Sequence, residues 1–265
     1  MKIPLLLFMI KFFRRLTNLE KIRYRLLKIA MNKTYFNGYF YALINHFECF
    51  QRSKNFSSKE VDTIEWIDGF APDDIFFDIG ANIGVYSLYA AKRVKEVFAF
   101  EPHFKNYYNL IINANLNNFS NLKPFCIAFD EFTGIGTFNH YKTNSGSSTS
   151  QLNRDVDHTN KKFHVKLKQS VLIETVTSFI ERAKVFPNHI KIDVDGIELQ
   201  IIKGFKQIIR DQRLKSVLVE ITGEASAFET ILLKEGFEVV NITPTDKKHT
   251  SFNYIFRRKG AEKGI

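Results

Sequence analysis

A carboxylate and two glycines stand where an apolar run gives way to a helical pattern. The stretch "FFDIGANIGVYSLYAA", residues 76–91, ends a buried-strand pattern in Asp78 and continues with Gly80, Asn82 and Gly84. Glycine permits a sharp turn and a close backbone approach, and the start of a helix leaves N–H groups free to bind a ligand. These residue types predict a ligand-binding turn at residues 78–84.

A second carboxylate narrows the choice of ligand. Glu101 ends the next apolar run, 23 residues after Asp78, where a carboxylate can accept hydrogen bonds from both hydroxyls of a ribose. The glycine spacing fits neither the dinucleotide fingerprint nor a P-loop, and Asp78 would repel a pyrophosphate. S-adenosylmethionine has a ribose and two cationic groups but no phosphate, so it is the expected ligand, with Ala128 and Asp130 near its adenine.

The stretch "KIDVDGIE", residues 191–198, brings further charges to the end of another apolar run. Methyl transfer to an alcohol releases a proton, so a carboxylate within hydrogen-bond reach of the acceptor helps. Asp193 is the predicted base, and Asp195 and Glu198 either orient it or bind a divalent cation. Alternatively, Asp195 and Glu198 cap the following helix, which is favoured for Glu198. Lys191 is expected to pair with a neighbouring carboxylate.

Two histidines and a small-residue segment complete the candidate residues. His103 and His140 are the histidines closest to the predicted pocket, and His103 is expected to be a surface residue. The stretch "TNSGSSTSQLN", residues 143–153, has the composition of a loop. The sequence leaves open whether this loop closes over a substrate or only connects two elements.

Strands and helices, indicated by alternating apolar runs and helical patterns, are the elements expected to position these residues. From about residue 62 these patterns predict a parallel sheet built of βαβ units. Two final β runs, "FEVVNI" and "TSFNYIFRRK", have no helix between them and are therefore expected to pair antiparallel. The predicted parallel strands are "DIFFDIG", "EVFAFEP", "NLKPFCIAFD", "NHIKIDVDG" and "KSVLVEI".

The net charge of +10 is concentrated at the amino terminus, since residues 1–35 hold nine basic residues and one acidic residue. An apolar run at residues 3–10 is too short to span a bilayer, which takes ~20 residues, and no signal-peptide cleavage site follows it. The pattern predicts a basic amphipathic helical extension, residues 1–55, before a domain at 56–260. Residues 1–31 either contact an anionic membrane surface or, as slightly favoured, pack on the domain. The expected location is the cytoplasm, with peripheral membrane attachment as an option.

Taken together, "FFDIGANIGVYSLYAA", "VFAFEP", "HIKIDVDGIELQIIKGF" and "SVLVEI" resemble the FkbM family of S-adenosylmethionine-dependent methyltransferases over residues 70–258. One departure is Asp195, where the family usually has Glu. The resemblance implies an α/β, Rossmann-like class I methyltransferase sheet of seven strands, mostly parallel with the last strand antiparallel. It also implies an acceptor that carries a hydroxyl group, such as a sugar or a macrolide.

The expected function is therefore O-methylation of a sugar, another glycan or a secondary metabolite. Two alternatives remain, namely an RNA-directed methyltransferase and a non-catalytic binding protein on the same fold. Nucleic acid is the less expected partner, because residues 36–265 carry a net charge of only +2 and contain no Asn/Asp-Pro-Pro-Tyr motif. The sequence leaves the metal dependence open.

Overall fold

The computed structural model describes residues 32–261, apart from gaps at residues 37, 44–46, 145, 147–149, 157–160, 195, 224 and 246–248. The predicted helix within residues 1–31 and its membrane contact lie outside the described residues, as does Asp195. Within the described ranges, no helix is long and apolar enough to cross a bilayer.

A β-hairpin and two helices begin the described chain, in a region where the sequence predicted a basic amphipathic helical extension to residue 55. Tyr39 and Cys49 are buried, and the Lys92 ammonium lies 4.0 Å from the centre of the Tyr39 ring. The hairpin and the first helix thus pack on the rest of the protein, and the predicted boundary at residue 55 falls inside that helix. The elements are β1 (Asn32–Phe36), β2 (Tyr39–Leu43), α1 (Phe47–Lys59) and α2 (Val61–Asp68).

The predicted βαβ units follow. Their strands are mainly apolar, as is typical of strands that are covered on both faces. Pro102 stands just after the second of these strands, and the chain then turns into a helix. The elements are β3 (Ile75–Ile79), α3 (Val85–Ala91), β4 (Glu96–Phe100), α4 (Phe104–Leu116) and β5 (Leu122–Phe125).

A second, four-stranded sheet follows β5, and the sequence did not predict it. It consists of β6 (Ala128–Phe129), β7 (Gly134–His140), β8 (Ser150–Leu152) and β9 (Leu167–Glu174), in the order β6-β9-β7-β8. The prediction of one strand over "NLKPFCIAFD" is wrong, because the chain leaves the main sheet after β5 and β6 pairs with β9. The end of the predicted loop at 143–153 is likewise strand β8, which pairs with β7.

The chain then returns to the main sheet. Its remaining elements are α5 (Val176–Ala183), β10 (His189–Ile192), α6 (Glu198–Lys203), α7 (Lys206–Ile209), β11 (Ser216–Thr222), α8 (Ser226–Lys234), β12 (Phe237–Pro244) and β13 (Ser251–Arg258).

The main sheet has seven strands in the order β12-β13-β11-β10-β3-β4-β5. β13 runs antiparallel to β11 and to β12, and the other paired strands run parallel. The predicted fold class and the antiparallel pairing of the last two β runs are confirmed. β10 lies beside β3 with Lys191 opposite Asp78, which brings the two charged motifs to one edge of the sheet.

Two apolar layers cover the faces of this sheet. One contains residues of α2, α3 and α4, and the other contains residues of α5, α6, α7 and α8. Much of the protein's high phenylalanine content serves the second layer, where Phe77, Phe98, Phe100 and Phe179 have ring centres 4.9–6.2 Å apart. Such aromatic pairs add about 0.5–1.5 kcal/mol each beyond their burial, so the phenylalanines stabilise the sheet.

Candidate active site

A cavity opens at the carboxyl ends of β3, β4 and β10, beside the second sheet. It contains about 750 Å³ of empty space, part of which is open to solvent. The carboxyl ends of parallel strands are where open α/β sheets bind ligands. The wall includes polar residues of both sheets and of helices α1 and α4; these are Arg52, Asn82, Glu101, His103, Asn106, Ser150, Gln151 and Asp193.

The two glycines of the predicted turn are both required by close packing. Gly80 lies on the cavity wall with φ +86°, and a Cβ atom there would be 1.8 Å from the Asp193 carbonyl oxygen. Gly84 also has φ +86°, and its Cβ would be 2.3 Å from Leu110 Cδ1. Gly84 does not line the cavity; it lets α3 pack against α4. The turn therefore gives a ligand access to the backbone at Gly80 and Asn82.

Glu101 lies on the cavity wall and is held by two backbone groups. The N–H groups of Asn82 and His103 each donate to one carboxylate oxygen, at 2.8 Å in both cases. Burial raises the pKa of Glu101 to about 7, although these hydrogen bonds lower it. Each oxygen keeps a lone pair, so the carboxylate can also accept hydrogen bonds from a ligand's hydroxyl groups.

Asp78 lies behind the cavity and not on its wall. It is buried, and its Oδ2 accepts a hydrogen bond from the Ser87 hydroxyl. Burial raises the pKa of Asp78, and the charge of Lys191 opposes that shift. The predicted contact of Asp78 with the cofactor stays a prediction, and in the structure this residue connects β3 to α3 through Ser87.

Lys191, Asp193 and Glu220 form a charged cluster at the ends of β10 and β11. The buried Lys191 ammonium lies 2.5 Å from Asp193 Oδ2, as the sequence predicted for this lysine. Burial opposes the charge of Asp193, but Lys191 outweighs it and holds the pKa of Asp193 well below its usual range. Burial and the charge of Asp193 raise the pKa of Glu220 to about 8. The ion pair with Lys191 therefore favours the ionised form of Asp193.

Asp193 is the predicted base, and it is accessible from the cavity, since 29% of its side chain is exposed. Glu198 is not on the cavity wall. It is the first residue of α6, and its Oε1 accepts a hydrogen bond from the Gly196 N–H at 3.0 Å. This is the contact expected of a carboxylate at a helix start, so the structural interpretation of Glu198 fits better than a catalytic one.

Of the two residues predicted near the adenine, one lines the cavity and the other does not. Ala128 lines the cavity, together with the apolar side chains of Phe100, Phe129 and Leu152, which offer a surface for an adenine ring. Asp130 does not line it, and its Oδ1 accepts a hydrogen bond from the Glu131 N–H.

His103 is buried, which contradicts its predicted place on the surface. It is the N-cap of α4, and its Nδ1 accepts hydrogen bonds from the N–H groups of Lys105 and Asn106. Burial lowers the pKa of His103 to about 4, so the ring is neutral at physiological pH. An exposed loop position was a reasonable expectation, but the second sheet covers this corner, and the centre of the His140 ring lies 4.5 Å from that of His103.

His140, on β7, contacts side chains of two neighbouring strands of the second sheet. Its Nδ1 is 2.9 Å from Ser150 Oγ on β8, and its Nε2 is 3.1 Å from Gln169 Oε1 on β9. His140 does not line the cavity, whereas Ser150 does. The second sheet therefore contributes to the site through β8, which lies within the segment that the sequence assigned to a loop.

Sequence reasoning also missed Arg52, Asn106, Gln151 and Glu220. Glu220 left a signal, because it is a charged residue near the end of the apolar run "KSVLVEI", beside the strand that carries Asp193. No sequence signal marks Arg52, because the segment around it is rich in basic residues. Within the described residues, no group of three or more His, Cys, Asp or Glu is arranged to hold a metal ion.

Two methyltransferases are similar to this chain in sequence. A hexuronic acid methyltransferase, AglP of Haloferax volcanii, is 28% identical over 152 residues, which are 56% of each chain. Methyltransferase 1 of Beauveria bassiana is 26% identical over 188 residues, 63% of this chain and 74% of the relative. The match to AglP thus spans little more than half the length of that relative.

Solved structures show the fold alone. The tRNA m1G37 methyltransferase of M. jannaschii aligns with a TM-score of 0.51 at 13% identity, covering 87% of this chain and 57% of that one. Trm5b of Pyrococcus abyssi aligns with a TM-score of 0.50 at 12% identity, covering 85% and 55%. Both likenesses are consistent with the seven-stranded sheet.

The methyltransferase FkbM domain matches residues 78–253, well over half of the chain. This range begins at Asp78 and includes the glycine turn, Glu101 and Asp193. S-adenosylmethionine is the methyl donor that such a domain uses, and the cavity residues fit it, since Glu101 can accept from a ribose and the apolar wall suits an adenine. This protein belongs to the FkbM family of S-adenosylmethionine-dependent methyltransferases.

Proposed function

We propose that this enzyme transfers the methyl group of S-adenosylmethionine to a hydroxyl oxygen of a carbohydrate. The observation that carries the proposal is an ionised carboxylate, Asp193, that faces the cavity beside the glycine turn. The hexuronic acid methyltransferase of Haloferax volcanii supports a sugar acceptor. A carbohydrate offers the hydroxyl groups that a carboxylate binds.

The chain's own residues supply position and charge. Glu101 would accept hydrogen bonds from the ribose hydroxyls, and the backbone at Gly80 and Asn82 would contact the bound cofactor. The acceptor hydroxyl donates to Asp193, which aims its oxygen lone pair at the methyl carbon. Alignment of the two reactants supplies most of the acceleration in a displacement of this kind.

The proton that leaves the acceptor goes to Asp193. As the new O–C bond forms and the S–C bond breaks, the acceptor oxygen becomes positively charged and its proton becomes strongly acidic. A carboxylate with a low pKa can accept a proton from such a group, although it could not deprotonate a free alcohol. Lys191 therefore holds Asp193 in the ionised form that is needed before the displacement begins.

The acceptor class can be identified directly. The protein is incubated with S-adenosylmethionine labelled in its methyl group and with separate pools of glycans, lipids and RNA. We expect label in the glycan pool as an ether that resists mild base. Label confined to RNA, or a base-labile ester, would refute O-methylation of a carbohydrate hydroxyl.

The role of Asp193 has its own test. Asp193→Asn keeps the shape and removes the basicity, so turnover should fall about 10²–10⁴-fold, while S-adenosylhomocysteine binds with little change. Asp73→Asn, at an exposed position, is the control and should turn over normally. Turnover of Asp193→Asn within twofold of wild type would exclude Asp193 as the proton acceptor.

A further inference from the structure

Arg52 places a positive charge on the cavity wall from outside the matched domain. It belongs to α1, whereas the family match begins at residue 78. Its charge favours the ionised forms of Glu101 and Asp193. Among the described residues, however, it forms no ion pair with either of them, and its one hydrogen bond runs from Nε to the Gly146 carbonyl oxygen, at 2.8 Å.

Gly146 fixes the direction of this guanidinium. Its N–H donates to Asn106 Oδ1 at 2.7 Å, and Asn106 is a buried residue of α4. Gly146 thus connects α1 to α4 at the cavity wall through two hydrogen bonds. Because Arg52 is anchored through Nε, less side-chain entropy is lost when its remaining groups bind a ligand.

The unused donors match one kind of ligand. A guanidinium has five N–H donors, so four remain, all on the two Nη atoms. That end of the group pairs with a carboxylate through two parallel hydrogen bonds. Glu101 and Asp193 supply acceptors for hydroxyl groups, whereas Arg52, the cationic side chain among the described residues of this wall, suits an anion.

We propose that Arg52 binds a ligand carboxylate in the active-site cavity. This inference rests on the proposed function, and two carboxylates are chemically eligible. One is the methionine carboxylate of the cofactor, and the other is the carboxylate of an acidic sugar acceptor. Both would lie between the amino-terminal helix and the matched domain, so α1 contributes to ligand recognition.

Calorimetric titrations separate the two sources. Arg52→Gln keeps a donor for the Gly146 carbonyl and removes the charge. If Arg52 binds the cofactor, this variant should bind S-adenosylhomocysteine about 10- to 100-fold more weakly and bind methylthioadenosine, which lacks the amino-acid part, like wild type. If it binds the acceptor, S-adenosylhomocysteine binding stays unchanged. In that case glucuronate, titrated into the S-adenosylhomocysteine complex, binds at least tenfold more weakly than to wild type.

Two further variants distinguish the loss of a ligand contact from a purely structural effect. Lys54→Gln removes an exposed charge from the same helix and should change none of these affinities. Arg52→Lys keeps the charge without the planar pair of donors and should give an intermediate loss.

The proposal is overturned if Arg52→Gln binds S-adenosylhomocysteine and glucuronate like wild type. It is equally overturned if S-adenosylhomocysteine and methylthioadenosine weaken by the same factor, because that pattern indicates a general distortion. Wild-type protein that binds neither nucleoside would refute the proposed function itself, and the inference would fall with it.

Discussion

The two carboxylates on the cavity wall differ in what surrounds them. Glu101 is buried next to backbone N–H groups, and its pKa rises to about 7. Asp193 lies 2.5 Å from a buried ammonium, and its pKa falls. One group therefore titrates near neutral pH and the other stays ionised, so pH should act on cofactor binding before it acts on Asp193.

Cofactor affinity should depend on pH through Glu101. The ribose hydroxyls donate to the ionised carboxylate, so below pH 7 binding has to displace a proton, and affinity should fall by up to about tenfold per pH unit. Glu101→Gln should lose this dependence and bind S-adenosylhomocysteine more weakly at pH 8, by about 1.5–3 kcal/mol. Calorimetry between pH 5.5 and 8 measures both effects.

Glu198 provides the matched control for this pH dependence. Burial raises its pKa to about 7 as well, but it does not line the cavity. Glu198→Gln should therefore keep the wild-type pH dependence of affinity. If Glu101→Gln also kept it, Glu101 would not be the group that binds the ribose.

Gly80 should tolerate no side chain, for two separable reasons. Gly80 and Gly223 both have left-handed backbones, with φ +86° and +89°, but a Cβ at Gly223 would meet nothing within 4 Å. Gly223→Ala should cost about 1–2 kcal/mol of stability from backbone strain alone. Gly80→Ala adds a clash with the Asp193 carbonyl, for about 1–3 kcal/mol more. Urea unfolding of both variants tests this, and equal losses would contradict the close approach.

At the scale of elements, a series of side-chain hydrogen bonds joins α2 to the amino ends of the central strands. Trp66 Nε1 donates to Ser216 Oγ at 2.8 Å, and that oxygen is 2.6 Å from His189 Nδ1. His189 Nε2 is 2.9 Å from Asp74 Oδ2, and Lys215 Nζ is 2.6 Å from Asp74 Oδ1. This network lies at the sheet edge opposite the cavity, where it can affect stability without touching the chemistry.

Asp74→Asn should therefore destabilise the protein without changing cofactor affinity. The loss should be about 2–3 kcal/mol near pH 7, because two hydrogen-bonded partners lose a charged acceptor. Burial opposes the charge of Asp74, but His189 and Lys215 lower its pKa to about 2. Its stabilisation is thus present above about pH 4 and lost as the pH falls toward 2. The gap between variant and wild type should narrow between pH 7 and pH 3 in denaturant unfolding.

The neighbouring Asp73 is exposed, so Asp73→Asn should change stability by less than about 0.5 kcal/mol. An Asp74→Asn variant as stable as wild type would show that the network contributes little.

Elements whose signal is local could be predicted from the sequence. β3, β4, β10 and β11 are apolar runs that end in a turn or a charge, and they are found where the pattern places them. β6 and β8 have two and three residues, so each is defined by its pairing with another strand, which for β6 is the distant β9. Such strands carry no periodicity that a window of sequence can detect.

The same limit applies to the site. Asp78, Gly80 and Glu101 occur at spacings set by one βαβ unit, so their proximity could be inferred from the chain alone. Arg52 reaches the cavity through packing of α1 on the domain, and its contact with Gly146 spans 94 positions. Nothing local to "FECFQRSKNF" distinguishes this arginine from a surface charge.

Across the whole molecule, the matched domain and the folded body do not coincide. The match begins at residue 78, yet Tyr39 and Cys49 are buried in the same apolar cluster as Leu88 and Leu110. The hairpin and α1 therefore contribute to the core as well as to the cavity wall.

Two amino-terminal truncations should differ sharply. A chain that starts at residue 32 is the reference, because it keeps all the described elements. A chain that starts at residue 56 loses buried side chains worth about 1.5–3 kcal/mol each, so it should melt at least about 5 °C lower and bind more weakly. Calorimetric scans and titrations compare them, and equal behaviour of the two chains would show that residues 32–55 are dispensable.

The position of β13 has a consequence for synthesis on the ribosome. β13 follows the other strands among the described residues and lies inside the sheet, between β11 and β12, so β12 has no partner in that sheet until β13 arrives. Arg258, at its end, donates to the carbonyl oxygens of Leu214 and Asp211. A nascent chain cannot complete this half of the sheet before residue 258 leaves the exit tunnel, and until then the facing edges of β11 and β12 are open to other chains. The emergence of β13 therefore decides whether a newly made molecule completes its sheet or is prone to aggregate.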